Sequence, residues 1–282
     1  MKKFAGKDAM TTVLRSTSEL IGARLEWAAT GEKVGFVPTM GALHDGHRAL
    51  LKEARQKSDI VVLSIYLNPA QFGAGEDLAQ YPKTLESDLA MASEEGVNFV
   101  FTPKSSEMYP EGYSTYVNEE ILSRELCGAY REGHFRGVTT IVLKLFNLVR
   151  PNLSVFGLKD AQQFFVLKKM LLDLNLDIEM IGVPTVREQD GLALSSRNAY
   201  LTKEERSRAP VLFETLRWCR RQILSGAFQG EVLKAGRSRI EAAGLKVQYL
   251  EIAEFPGVSD ERRIAVAAFL GATRLIDNVA IS

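Results

Sequence analysis

Val34-Gly35-Phe36-Val37-Pro38-Thr39-Met40-Gly41-Ala42-Leu43-His44-Asp45-Gly46-His47 reads as a buried strand that runs into a glycine turn and then opens a helix. Such a junction aims the backbone amides of a helix N-terminus at an anion. Further apolar runs at 60–67, 97–101, 154–156 and 178–183 are rich in Val, Ile and Phe and read as strands buried on both faces. Helical patterns lie between them. Residues 48–57 put Leu50, Leu51 and Ala54 on one side, and 84–95 do the same with Leu85, Leu89 and Ala92. The stretches 139–149 and 162–174 are more apolar, as helices packed against a sheet or a second subunit are. Strands alternating with helices imply right-handed crossovers and a mainly parallel sheet, an α/β fold of Rossmann-like architecture. After Pro184 the rhythm changes to helical stretches at 203–224 and 231–243, then strand-like 247–252 and 264–269. The expected division is a Rossmann-like domain over 1–184 and a smaller α+β domain over 185–282. The loops 68–82 and 103–113 exceed ordinary connections, which favours functional loops over linkers.

A chain of 282 residues, 46% of them hydrophobic, can bury a sizeable core. Lys plus Arg and Asp plus Glu both number 35, so no net field draws the molecule to nucleic acid or to an acidic membrane. Charges break the apolar stretches well short of the roughly 18 residues of a membrane span. Met1-Lys2-Lys3-Phe4 is a basic start, but Gly6, Lys7 and Asp8 follow where a secretory signal needs an apolar run. The two cysteines, Cys127 and Cys219, lie far apart without metal-ligand spacing and read as packing residues of a reduced, cytoplasmic protein.

His44 and His47 flank Gly46, which lets backbone and phosphate approach closely, while the imidazoles can donate to phosphate oxygens as negative charge builds. With His134 the pair could instead form a three-histidine zinc site, although no acidic general base accompanies it as in the metalloprotease pattern. At the end of the second strand, Asn68 and Gln71 project where open parallel sheets bind ligands, and their amides suit a polyhydroxylated acid, although Asn68-Pro69 taken by itself reads as ordinary turn chemistry. The segment 128–139 opens a helix with Arg131, His134 and Arg136 near two glycines, either an anion site or a charged loop before a capped helix. Gly157-Leu158-Lys159-Asp160 again joins strand to helix: Lys159 can reach phosphates, and Asp160 can accept ribose hydroxyls or serve only as an N-cap. Near the presumed domain junction, Leu194-Ser195-Ser196-Arg197 clusters hydroxyls beside a guanidinium, as a closing phosphate clamp requires.

The His-x-Gly-His pattern resembles the signature of the nucleotidyltransferase superfamily. The segments together, through Thr273-Arg274-Leu275-Ile276-Asp277-Asn278, resemble the pantothenate synthetase (pantoate-beta-alanine ligase) family along nearly the whole chain. That resemblance implies ATP-dependent condensation of pantoate with beta-alanine through a pantoyl adenylate, with ATP and Mg2+ required and AMP and pyrophosphate released. It implies an ATP- and pantoate-binding domain over 1–184, a lid over 185–282, and a cytoplasmic homodimer formed through the N-terminal domains. Carried over by motif, Met40, Gly41, Ala42, Leu43, His44, Asp45, Gly46 and His47 form the ATP-phosphate turn. Gly157 and Asp160 hold the ribose, Val186 touches adenine, and Leu158 and Leu194 complete the ATP-binding set. Lys159, Ser195, Ser196 and Arg197 hold the triphosphate. Gln71 and Gln163 grip pantoate, with Asn68, Arg131 and His134 lining the neighbouring pocket. His47, His44 and Lys159 are the expected catalytic residues; none of these residues is assigned as a metal ligand. The chain departs from the family pattern at Tyr66-Leu67, Ala70, Glu132 and Ala161, none of which removes a proposed catalytic group. An adenylyltransferase that keeps a nucleotide in its product and a non-catalytic nucleotide-binding module remain open as alternatives.

Overall fold

The computed structural model describes residues 11–281; the basic start Met1-Lys2-Lys3-Phe4 lies outside the described residues. Strand β1 (Thr12–Leu14) and helix α1 (Thr17–Ala28) lead into β2 (Val34–Thr39), α2 (Asp45–Lys57), β3 (Ile60–Ile65), α3 (Leu85–Glu94) and β4 (Phe99–Phe101). Short helices α4 (Ser105–Met108) and α5 (Leu126–Tyr130) precede α6 (His134–Val149), β5 (Leu153–Gly157), α7 (Ala161–Asp173) and β6 (Glu179–Val183). Then come α8 (Lys203–Arg208), α9 (Val211–Leu224), α10 (Gln229–Ala242) and strands β7 (Lys246–Phe255), β8 (Ser259–Leu270) and β9 (Thr273–Ala280).

The first six strands form one parallel sheet in the order β1-β4-β3-β2-β5-β6. The chain steps outward from β2 on one side and resumes with β5 on the other, which leaves a crevice beyond the carboxyl ends of these two neighbours. Alternate residues feed opposite faces. Phe36, Ile60 and Val62 pack with Trp27 of α1, Phe146 of α6 and Phe165 of α7. Val37, Val61 and Leu63 pack with Leu50, Leu51 and Ala54 of α2 and Ala92 of α3.

Several sequence readings need correction. The run 178–183 is not buried on both faces, because β6 is the edge of the sheet and its residues are partly or fully exposed. Leu85 does not join the inner face of α3; it is exposed, while Asp88 and Ala92 are buried. The helix expected at 203–224 is two helices, because Pro210 has no N–H to continue the ladder and instead starts α9. The loop 103–113 contains α4. Elements β1, α1 and β9 were not foreseen; β9 alternates buried and half-buried residues that include Arg274, Asp277 and Asn278.

The last three strands form an antiparallel sheet in the order β7-β8-β9. One face packs Val247, Leu250, Ile264 and Val266 against Leu212, Leu216 and Cys219 of α9 and Ile240 of α10. Residues on the other, including Tyr249, Phe255 and Ala267, belong to the core of the parallel sheet. Phe255 stacks on Phe165 of α7 at 3.8 Å between ring centres. Among the described residues no helix is long and apolar enough to cross a membrane.

Candidate active site

Beyond the carboxyl ends of β2, β3 and β5 lies a cavity of about 1070 Å3. A smaller one of about 140 Å3 adjoins it beside the chain that leaves β6. His44, His47, Lys159, Asp160 and Gln163 line both.

The turn after β2 ties part of its backbone into the protein before α2 begins. Gly41 and Ala42 both take positive φ, +86° and +52°. The N–H groups of Ala42 and Leu43 donate to the Asp88 carboxylate at 3.0 and 2.8 Å. Asp88 is 2% exposed and also accepts from the Thr84 hydroxyl. These two amides are therefore committed inside the protein, which explains a buried carboxylate on the inner face of α3.

The imidazoles take over the outward role. The Gly46 N–H donates to His44 Nδ1 at 3.1 Å, and the His44 N–H donates to His47 Nδ1 at 3.2 Å, a capping box closed by two histidines. Each Nδ1 thus acts as an acceptor, which assigns the proton of each neutral ring to Nε2. Desolvation, with Lys159 contributing to both and the neighbouring imidazole to His47, pulls the pKa of His44 down to about 4 and of His47 to about 3. Both rings are neutral donors at physiological pH. Gly46 is required here for the rings themselves: a Cβ would stand 2.7 Å from the His44 ring.

β5 ends in a 3-10 turn at Leu158–Asp160 that runs directly into α7. Asp160 stands at the N-cap of α7 but makes no capping hydrogen bond, so the purely structural reading of this carboxylate is not realised. Desolvation, reinforced by Arg197, lowers the Lys159 pKa from its ordinary value, while Asp160 opposes the shift. Both adjacent glutamines line the larger cavity, but their side chains are engaged differently. Gln162 is a brace that bonds to the Leu122 and Glu125 carbonyls and the Cys127 N–H. Gln163 lines both cavities.

Around the far end, Asn68 is 1% exposed and its amide donates to Gln71 Oε1 and the Gly137 carbonyl while accepting from the Tyr109 hydroxyl. Asn68 thereby orients Gln71, whose Nε2 has, among the described residues, only the weak Met40 sulfur as acceptor at 3.1 Å. The start of α6 lies tight against this turn: a Cβ on Gly137 would come within 2.2 Å of the Ala70 carbonyl oxygen. His134 Nδ1 sits 2.8 Å from the Gln71 carbonyl, and its Nε2 sits 3.0 Å from the Arg131 guanidinium. Burial, then the Arg131 charge, lowers its pKa to about 4.

The two arginines are not bare cations. Arg131 pairs with Glu76 through two hydrogen bonds of 2.7 and 2.5 Å. Arg197 pairs with Asp77 through two of 2.9 Å. Burial opposes the Arg197 charge, but Asp77 outweighs it and raises the pKa above the ordinary value. Ser195 Oγ accepts from the Arg197 N–H, and Ser196 Oγ lies 3.3 Å from the Tyr81 hydroxyl.

Of the residues singled out from the sequence, Met40, Asn68, Gln71, Arg131, His134, Ser195, Ser196 and Arg197 line the larger cavity with the shared set. Gly46, Gly157, Val186 and Leu194 line the smaller. Gly41, Ala42, Leu43, Asp45 and Leu158 line neither: Asp45 turns to Arg48, and Leu158 packs beside Gly182. Sequence reasoning missed Glu76, Asp77 and Asp88; the first two lie in the long loop already suspected of function, which was the available signal. The three-histidine zinc alternative has no geometry to support it, since His134 is engaged with Gln71 and Arg131. Among the described residues no three His, Cys, Asp or Glu side chains gather as metal ligands would.

The family model for pantoate-beta-alanine ligase matches residues 12–280. A pantothenate synthetase of Photobacterium profundum is 51% identical over 89% of this chain and 88% of its own length. The crystal structure of pantothenate synthetase from Thermus thermophilus matches with a TM-score of 0.89 and 44% identity, covering 96% of this chain and 99% of that one. A pantoate-beta-alanine ligase of Francisella tularensis, solved in complex with beta-gamma ATP and beta-alanine, matches with a TM-score of 0.84 and 33% identity over 96% and 98% of the two chains. With the glycine turn, the histidine pair and the crevice at the strand reversal all in one matched span, this chain belongs to the pantoate-beta-alanine ligase family.

Proposed function

We infer that this chain condenses (R)-pantoate with beta-alanine to give pantothenate, consuming ATP and releasing AMP and pyrophosphate through a pantoyl adenylate. The observation that carries the reading is the pair of neutral imidazoles, His44 and His47, facing the same cavity as Lys159, Gln71 and Gln163 in a chain of this family. The 1–184 portion would bind ATP and pantoate, with 185–282 acting as the lid.

In the first half-reaction a pantoate carboxylate oxygen attacks the α-phosphorus, the bond to the bridging oxygen breaks, and pyrophosphate leaves. Gln71 and Gln163 hold the pantoate hydroxyls, with Asn68, Arg131 and His134 shaping the adjoining pocket. The Nε2–H groups of His44 and His47 donate to the phosphate oxygens as charge accumulates. Donors already held in place need no reorganisation at that moment. Lys159, Ser195, Ser196 and Arg197 follow the triphosphate, Gly157 and Asp160 the ribose, and Val186 and Leu194 the nucleoside side of the smaller cavity.

Mg2+ belongs to this reading as part of the ATP substrate. Asp160 is an exposed carboxylate without a capping bond, whereas Glu76, Asp77 and Asp88 are engaged by protein groups. Asp160 is thus the carboxylate that would be free to meet such an ion, which would supply charge neutralisation at the phosphates. In the second half-reaction the free amine of beta-alanine attacks the anhydride carbonyl, the bond to AMP breaks, and the amine proton passes to solvent or the departing phosphate. Enclosure shields the anhydride from water.

A homodimer through the N-terminal domains and a cytoplasmic location complete the proposal. The family resemblance supports the first, and two free thiols support the second. Exchange of labelled pyrophosphate into ATP, with pantoate present and beta-alanine absent, tests the reaction. Exchange that requires beta-alanine overturns the two-step reading, and a product that retains the nucleotide points to an adenylyltransferase. Sedimentation velocity tests the dimer.

A further inference from the structure

Asp277 and Asn278, the end of the sequence motif on β9, have no part in the reaction as described, yet both are 4% exposed and fully engaged. The Asn278 side-chain amide donates to two carbonyls at once, those of Leu158 and Lys159, each at 2.9 Å. Its Oδ1 accepts from Arg263 Nε at 2.5 Å. A guanidinium on one side and two carbonyls on the other leave only one orientation of this amide compatible with its neighbours. Asp277 receives two hydrogen bonds from Arg187, at 2.6 and 2.9 Å, and accepts the Asn278 N–H at 2.7 Å. Arg187 in turn donates to the Gly191 carbonyl at 3.0 Å.

One end of β9 therefore grips both the turn that carries Lys159 and the loop that leads to Ser195–Arg197. The turn needs an external hold. It is a single 3-10 turn without a side-chain cap, and Asp160 supplies no capping bond to the helix that follows. Its ends are fixed by the β5–β6 ladder at Gly157 and by α7, but no side-chain cap secures the turn between them, whereas Asn278 holds the Leu158 and Lys159 carbonyls directly.

We propose that Asn278, held by Arg263 and backed by the Asp277–Arg187 pair, is a positioning residue for adenylation that sets the Leu158–Lys159 backbone so that the Lys159 ammonium meets the phosphates. This rests on the reading of Lys159 as a phosphate ligand. The brace matters most while pyrophosphate is leaving, because only then does the Lys159 ammonium have the leaving phosphates as partners; the ribose contacts of Gly157 and Asp160 on the same turn are common to both steps. A residue that merely joins the two sheets would instead affect both half-reactions and the melting temperature together.

The test uses the full chain with Asn278→Asp, which keeps the acceptor for Arg263 but loses the two donors, together with Asn278→Ala, Lys159→Ala and the Lys159→Ala/Asn278→Ala double variant. Pyrophosphate exchange, attack of beta-alanine on supplied pantoyl adenylate, and melting temperature are measured for each. Loss of two hydrogen bonds is expected to slow adenylation about 10- to 30-fold in both Asn278 variants. The second half-reaction should stay within about 2-fold, and the double variant should be no more than about 2-fold slower than Lys159→Ala alone, because residues acting through one another are not additive. Equal slowing of both half-reactions, or additive losses in the double variant, overturns the brace. Slow Lys159→Ala with normal Asn278 variants also overturns it and leaves the Lys159 reading standing; an unaffected Lys159→Ala overturns that reading itself. Should the Asn278 variants fail to fold, Arg263→Met leaves Asn278 in place but removes what orients it. A selective few-fold loss of adenylation there supports the brace, and an equal loss in both steps overturns it.

Discussion

The His44–His47 turn and the Arg131–Arg197 flank both offer donors to an anion, but they are held ready in different ways. The histidines cap one another through contacts two and three residues apart, and burial keeps both neutral. The arginines keep their charge and are held by carboxylates 55 and 120 residues away, on adjacent positions of one loop. On the proposed reading an incoming phosphate would meet the histidines as they stand, whereas at Arg197 it would compete with Asp77, which holds Nε and Nη2 of the guanidinium. The first arrangement puts the donors in place in advance; the second makes binding an exchange of anions.

The sharpest way to break this contrast is His47→Ala. Removing a preorganised donor should lower adenylation about 100- to 1,000-fold. Pyrophosphate exchange on a variant with an unchanged melting curve checks it, and near-normal turnover would remove His47 from the mechanism.

Next in size are Ser196→Ala and Arg197→Ala. Each should slow adenylate formation about 10- to 100-fold, the worth of a hydrogen bond to a charged group. Attack by beta-alanine on supplied adenylate should change far less. Single-turnover rates for the two steps decide, and equal slowing would make these residues braces of the domain junction.

Asp77→Asn tests the exchange directly. With the competing carboxylate neutralised, the ATP KM should fall about 3-fold, in keeping with a partly exposed ion pair of modest worth. The effect should shrink as salt is added. An increased KM would show that Asp77 serves ATP binding rather than competing with it.

The smallest expected effect is on pH dependence. With folded pKa values of about 4 for His44 and about 3 for His47, adenylation should show no inflection near 6.5 attributable to either ring. Stability behaves otherwise. The folded values lie below the unfolded one, so their contribution is complete above pH 6.5. It declines as pH falls toward about 4, where the unfolded chain binds protons that the folded rings refuse; His134 adds to this, its own pKa lowered to about 4. Melting temperatures and exchange rates over the same pH series check both halves, and a histidine inflection near 6.5 that disappears in His47→Ala would overturn the neutral-donor assignment.

What the sequence determined alone is what short range governs. Apolar period and strand-helix alternation specify the parallel sheet, and the histidine pair flanking Gly46 specifies a donor turn, since both rings can reach the backbone within one helical turn. Strand β9 escaped because its alternating residues include Arg274, Asp277 and Asn278, whose burial depends on partners rather than on hydropathy. Only the tertiary structure decided that Gln162 is tied up as a brace while Gln163 reaches both cavities, and that the turn amides of Ala42 and Leu43 belong to Asp88. It also decided that Glu76 and Asp77 hold the arginines, and that Asn278 reaches back 120 residues to the turn of Lys159. A polar side chain in water is equally satisfied in many places. Burial removes the water and leaves each donor only the acceptor that the fold brings to it.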